Sequence, residues 1–281
     1  MDKIVLSEKM IADLRNCELD LLSEFIRVCN NNHLNYYLMY GSLLGAIRHS
    51  GFIPWDDDID VVMPRWDYER LRAVGSDCFK KGYFFQIYET DKHYLNCYAK
   101  LRNVNTTFVE TSVPNLKMNQ GIFIDIFPMD YYYDESILTK IKRKIIEARV
   151  YEEADLKPKS IAKQLGGKIS RFFFPRISTA INAREKIFSA AKDGEKYYLR
   201  SGDAHGYAGS KFIMPVEWFG EGQTVQFENV LCKVPYQYDL VLKHRYGDYM
   251  SLPPVEQRVL HHEVVKFDSR HGYKNEVGSS N

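Results

Sequence analysis

The residues with most to say about chemistry lie in PWDDDIDVVMP, residues 54–64. In a strand, successive side chains point to opposite faces, so Asp58 and Asp60 share one face and Ile59 and Val61 the buried other. Two carboxylates on one face repel unless a cation sits between them, and a hard divalent ion with oxygen ligands is the natural choice. Asp56 and Asp57 read instead as a solvated turn or a helix cap. A third acid, Asp125, interrupts the apolar run GIFIDIFP (121–128), on the same face as Phe123 and Phe127. Desolvating an unpaired carboxylate there is costly, so Asp125 needs a cation, either a metal ion or an Arg or Lys.

Gly41 and Ser42 stand at a strand-to-helix turn. Glycine lets a backbone come close to a phosphate, and a helix N-terminus with a serine hydroxyl offers donors to its oxygens. Arg48 follows that helix, and Lys100 and Arg102 alternate along one strand face; they read as cations for phosphate charge or as ordinary surface charge. His261-His262-Glu263 looks like a metal cluster, but adjacent residues on regular structure point apart and no spaced third ligand follows, which argues against zinc. Trp55 and nearby tyrosines suit stacking on a base, a cage for a quaternary ammonium, or plain packing.

These residues need elements to position them. Residues 7–33 predict an amphipathic helix capped by Ser7, with Met10, Ile11, Leu14, Leu21, Leu22, Phe25, Ile26 and Cys29 at helical spacing. Then come a strand at 36–42, a helix at 42–51, a strand at 58–64 and a helix over about 66–79. Strands follow at 83–88, 97–101, 107–110 and 121–127, an alternation that suits an α/β sheet layer. Residues 134–200 are helical in pattern and hold 16 Lys or Arg against 9 Asp or Glu, a local net of +7 with an aromatic patch, RFFFPR. That segment reads as a helical hairpin with a solvated basic face, or as a surface meeting anionic phosphate or lipid head groups. From about Tyr207 the chain is strand-like again, with FIMPVEWF and TVQFENVLCKVP, then a helix at 237–246 and a frayed tail ending GSSN.

The 281 residues suit a single domain, 1–281, with 134–200 as an insertion. Hydrophobic content of 45% and charged content of 27% exclude a disordered chain. A net charge of +1 argues against a nucleic-acid coat, and it hides the +7 segment beside a remainder of −6. Five cysteines without a C-x-x-C pair fit a reducing compartment. With no secretory signal and no apolar run near ~20 residues, the expected location is cytoplasmic, docked at the inner face of the membrane through the basic segment.

Strand, Gly-Ser, helix, strand with Asp-Ile-Asp, and a later strand with a third Asp together resemble the nucleotidyltransferase fold of the polymerase-β type. Four blocks are closer to one family: YGSLLGAIRHSGFIPWDDDIDVVMPRWDYERL (40–71), AKLRNVNTTFVE (99–110), GIFIDIFPMD (121–130) and YGDYMSLPPVEQRVLHH (246–262). They resemble the LicD family of phosphocholine transferases, to which the fukutin-related proteins also belong. Asn103 departs from the pattern, standing where relatives often carry an acid.

The resemblance implies an α/β (α+β) fold, a nucleotidyltransferase-type mixed sheet flanked by helices with a helical insertion. It implies transfer of phosphocholine or a related head group from a CDP-choline-like donor to a hydroxyl of a cell-surface glycan (lipopolysaccharide, teichoic acid) or its lipid-linked precursor, releasing CMP. Gly41 and Ser42 would hold the donor phosphates, Asp58 and Asp60 would bind Mg²⁺ or Mn²⁺, and Asp125 would complete the site. Two ions about 3.5–4 Å apart on shared carboxylates would suit cleavage of a pyrophosphate. Asp125 could ligate a metal, act as base for the acceptor, or both. As the family's terminal pair, His261 and His262 would touch phosphate or fix the C-terminal segment over the cleft. Competing readings are transfer of the NMP itself, a DxD glycosyltransferase, and a non-catalytic nucleotide- or glycan-binding module. The Gly-Ser turn and third acid disfavour the glycosyltransferase, and the complete acid set disfavours the module.

Overall fold

A computed structural model of the chain describes residues 2–112, 117–133, 135–154, 169–190, 197–200 and 212–273. Helix α1 (Glu8–Asn31) begins at Ser7, whose side chain accepts from the backbone N–H of Met10. One face buries Leu14, Cys17, Leu21, Leu22, Phe25, Val28 and Cys29, together with two acids, Glu18 and Glu24. Glu24 is matched by Arg27 at 2.7 Å.

The central sheet has seven strands: β1 (Tyr37–Leu38), β2 (Asp60–Pro64), β3 (Tyr83–Gln86), β4 (Ala99–Asn103), β6 (Phe123–Tyr131), β7 (Tyr197–Arg200) and β8 (Ile213–Pro215). The order is β1-β2-β6-β4-β3, with β7 on β6 and β8 on β7. Only β2 and β6 run parallel; every other pair in the sheet is antiparallel. β6 is nine residues long, pairing through its first half with β4 and through its last residues with β7. Its run FIDIFPMD is buried throughout, as a strand covered on both faces must be. A pair β5 (Thr107–Glu110) with β11 (Val264–Asp268) and a hairpin β9 (Gln223–Phe227) with β10 (Val230–Val234) complete the strands.

Around them lie α2 (Tyr40–His49), α3 (Arg65–Val74), α4 (Ile137–Glu153), α5 (Ile177–Phe188) and α6 (Tyr238–Tyr246). α1 packs on β4 and β6, and α3 on β2 and β6. The expected mixed α/β architecture is therefore present. Several boundaries differ. α3 stops at Val74 because Gly75 takes φ +72°, and β1 is only two residues because the chain turns into α2 at Tyr40. Within 134–200, α4, α5 and residues 169–173 are helical, but residues 197–200 form a strand that joins the sheet. Residues 274–281, the expected frayed tail, lie outside the described residues.

Cys97, Ile146, Ala180, Ile187 and Phe188 form a second apolar cluster that seats α4 and α5 on the core. Among the described residues no helix is long and apolar enough to cross a membrane. All five cysteines are free thiols.

Candidate functional site

The parallel pairing of β2 with β6 sets Asp60 opposite Asp125. On the other side of β6, Lys100 of β4 is the register partner of Asp125, and its Nζ lies 2.9 Å from Asp125 Oδ1. The ammonium also sits 3.1 Å from the Phe123 ring centroid. Asp125 thus has the cation its apolar strand demands. Asp58, by contrast, precedes β2 rather than lying in it, so the shared-strand-face argument does not apply to it. It reaches the site through the loop: Asp56, Asp57 and Asp58 each bring a carboxylate oxygen within 4.8 Å of the others. Asp56 and Asp57, expected in a solvated turn, are buried.

A buried acid loop must be held against its own repulsion. Arg15 of α1 donates to the carbonyls of Ile53, Pro54 and Asp56 at 3.0, 3.0 and 2.8 Å. Ser42 accepts from the Asp60 backbone N–H at 2.8 Å, fixing the start of β2. Gly41 is needed because a Cβ there would run into the Asp56 carboxylate. Both residues sit inside the first turn of α2 rather than ahead of it. Tyr40, at the head of that turn, has φ +53°, a costly conformation for a bulky residue. Its ring packs edge-on to Phe127, and the Arg245 guanidinium lies 4.8 Å from its centroid.

The C-terminal segment closes the loop from the other side. The backbone N–H groups of His261 and His262 each donate to Asp57 at 3.2 Å, and His262 Nδ1 lies 3.1 Å from Asp57 Oδ1. His262 Nε2 faces Glu110 at 3.8 Å, and the exposed His261 ring is 3.7 Å from Asp56. Burial opposes charge on His262, but the Asp57 hydrogen bond and the charges of Asp58, Asp57 and Glu110 outweigh it and raise its pKa. Burial likewise opposes charge on Asp57, yet the His262 contacts and the two N–H donors hold it below the usual carboxylate range.

Asp56 and Asp58 have weaker compensation, Asp56 sharing a hydrogen bond with Asp58 and standing 3.7 Å from the His261 ring. Burial pushes Asp58 up, with the charges of Asp56, Asp125 and Asp57 adding to it, and burial followed by the Asp57 charge pushes Asp56 up. Glu18, buried on α1, is raised first by burial and then by Asp58, Asp57 and Asp56. Among the described residues, Asp56, Asp57 and Asp58 bring oxygens close enough to share a hard divalent cation, and of these Asp56 and Asp58 are short of positive charge. Asp57 is already spent on the histidine segment.

A profile of the LicD/FKTN/FKRP, nucleotidyltransferase domain, matches residues 33–171, which include the acid loop, β2 and β6. Over 269 residues, 93% of this chain and 97% of the relative, the sequence is 31% identical to the lipopolysaccharide cholinephosphotransferase LicD of Haemophilus influenzae. The chain belongs to the LicD family. An uncharacterised protein of Rickettsia prowazekii is 25% identical over 141 residues, 48% of this chain and 49% of that protein.

For a LicD-family chain, the remaining site residues fall into two groups. Lys100 faces the acids, whereas Arg102 is fully buried and donates to the Gln86 side chain and the Gly121 carbonyl. Arg48 gives its Nη1 to the carbonyls of Tyr249 at 2.6 Å and Ser251 at 3.4 Å, tying α2 to the C-terminal segment. Trp55 is braced between the His49 ring and the Arg258 guanidinium, 5.1 Å from its centroid. Asn103, where the family often has an acid, donates to the Cys17 thiol at 3.4 Å. Sequence reasoning missed Arg15, Glu18 and Glu110. The signal for Glu18 was present, since it interrupts the apolar stripe Leu14, Leu21, Leu22, Phe25 of α1.

Proposed function

We propose that this LicD-family transferase moves phosphocholine, or a closely related phospho-head group, from a CDP-activated donor to a hydroxyl of lipopolysaccharide or another cell-surface glycan or lipid-linked precursor. The carrying observation is the likeness along 93% of the chain to a lipopolysaccharide cholinephosphotransferase. The close set of Asp56, Asp57 and Asp58, with Asp60 and Asp125 register partners on the neighbouring strands β2 and β6, supports the same reading.

In the reaction, the acceptor oxygen bonds to the phosphorus that bears choline. The bond from that phosphorus to the oxygen bridging to CMP breaks, CMP leaves with the electron pair, and the hydroxyl proton passes to a carboxylate. Divalent cations, Mg²⁺ or Mn²⁺, would neutralise the pyrophosphate and sharpen the nucleophile when bound. Asp58 and Asp60, with Asp56 beside them, would hold such ions. Asp125 would complete the set as a metal ligand, as the group receiving the proton, or both, with Lys100 2.9 Å away balancing its charge. Gly41 and Ser42 serve the donor phosphates through the backbone at the start of α2, while the Ser42 hydroxyl holds Asp60. Exposed His261 meets the donor phosphates. His262 and Arg48 act by positioning, since each donates to a protein group, and Arg102 does so because it is fully buried.

The test is product analysis with CDP-choline, Mg²⁺ and a lipopolysaccharide lacking phosphocholine. CMP release with a phosphocholine-modified acceptor is expected. An acceptor carrying CMP would overturn the reading in favour of nucleotidyl transfer.

A further inference from the structure

α4 has an apolar face on the wrong side for a helix that only covers a core. Its inward side buries Ile146 and Arg149. The opposite side, at residues 137, 141, 144, 148 and 151, carries Ile, Ile, Lys, Ala and Tyr, a stripe at helical spacing that faces solvent. Ile137 is 77% exposed and its neighbour Leu138 79%. At the far end of α4, Arg171 pairs with Glu152 at 2.9 Å and Arg149 Nε donates to the Phe174 carbonyl at 3.0 Å. Those ties lay residues 169–173 beside the helix and add Phe172, 85% exposed, with Phe173 and Ile169. These exposed apolar side chains are spread from the first turns of the 17-residue helix, about 25 Å long, to the residues beside its last turn. Exposed apolar surface of this extent marks an interaction site.

The charges say with what. Arg143 is matched by Glu135 and Glu147, and Arg149 by Glu153. Lys140 and Lys144, which lie on or beside the outer stripe, have no carboxylate partner among the described residues, so unpaired positive charge lies beside the exposed apolar side chains. An isologous contact with a second copy would set these lysines against one another.

We infer that this face docks on an anionic lipid bilayer. Ile137, Ile141, Phe172 and Phe173 enter the interface, and Lys140 and Lys144 meet lipid phosphates. The inference is independent of which head group the enzyme transfers.

The experiment is co-sedimentation of the full chain with phosphatidylglycerol–phosphatidylcholine vesicles and with phosphatidylcholine alone, at low and high salt. Binding to the anionic vesicles at low salt is expected, with little to the neutral ones. Lys140→Glu/Lys144→Glu should weaken it at least a hundredfold. Ile137→Ser/Ile141→Ser/Phe172→Ser should also abolish it, with melting temperature unchanged because these side chains face solvent. No binding at low salt would overturn the inference, as would binding that both variants leave intact. So would a dimer, seen by light scattering, that the apolar variant dissolves while wild type ignores vesicles.

Discussion

Asp56 and Asp58 make the site sensitive to pH in a direction that can be worked out. Their folded pKa values rise from 3.8 to about 6 and about 7, so between those limits the folded chain holds protons that the unfolded chain has lost. Stability therefore falls as pH rises through that window, and a bound divalent cation should give it back. The melting temperature should rise on adding Mg²⁺ more at about pH 8 than at about pH 5, measured by scanning calorimetry. Equal increments at the two pH values would mean that the ion binds elsewhere. Asp60→Asn should lower turnover at least a hundredfold with the fold intact by circular dichroism; unchanged turnover would remove Asp60 from the metal set. Asp60 and Asp125 were legible in the sequence because an acid inside an apolar strand has few structural excuses. The part played by Asp57 was not, since its partners lie 204 and 205 positions away.

Among the elements, two ties matter most. The first is the segment that ends in His262. Replacing His262 by Ala leaves Asp57 buried without its ring partner and should cost about 3 kcal/mol in denaturant unfolding. Hydrogen exchange should rise around residues 258–263 in that variant. In the wild type the His262 contribution is complete below its ordinary pKa of 6.5 and fades as pH rises through about 9, so the same amides should open at alkaline pH. Protection that persists past that pH would argue that the backbone donors alone hold the segment. The second tie is Arg65 of α3, which grips Asp130 of β6 through two bonds of 2.6 and 2.8 Å and reaches Glu185 of α5 at 3.4 Å. Asp130→Ala should destabilise the chain by about 3–5 kcal/mol, with exchange rising first in α5. Most helices and strands were legible from periodicity and caps, Ser7 being the clearest. Strand lengths were less so: β6 runs on to Tyr131 because β7, distant in sequence, extends its pairing. Nothing local signals such a partner.

For the whole molecule, the near-zero net charge conceals a division of labour between an acid-lined site and a basic, apolar flank on α4. The division could be read from the charge count. That the apolar side of α4 faces outward could not, because it depends on which stripe Ile146 commits to the core. The site also draws on remote parts of the chain: α1 supplies Arg15, β2 and β6 supply the paired acids, and residues 261–262 supply the clasp on Asp57. Contacts of such sequence separation pay their loop-closure entropy late, so the clasp forms among the final events of folding. In stopped-flow refolding, far-UV circular dichroism should recover before the chain regains its Mg²⁺-dependent stability, and simultaneous recovery would contradict this. On the ribosome the same ordering acts as a clock. The acid loop is made early, but its clasp is translated some two hundred codons later, so in a nascent chain Asp57 waits for its histidine partners until the whole central sheet has been synthesised.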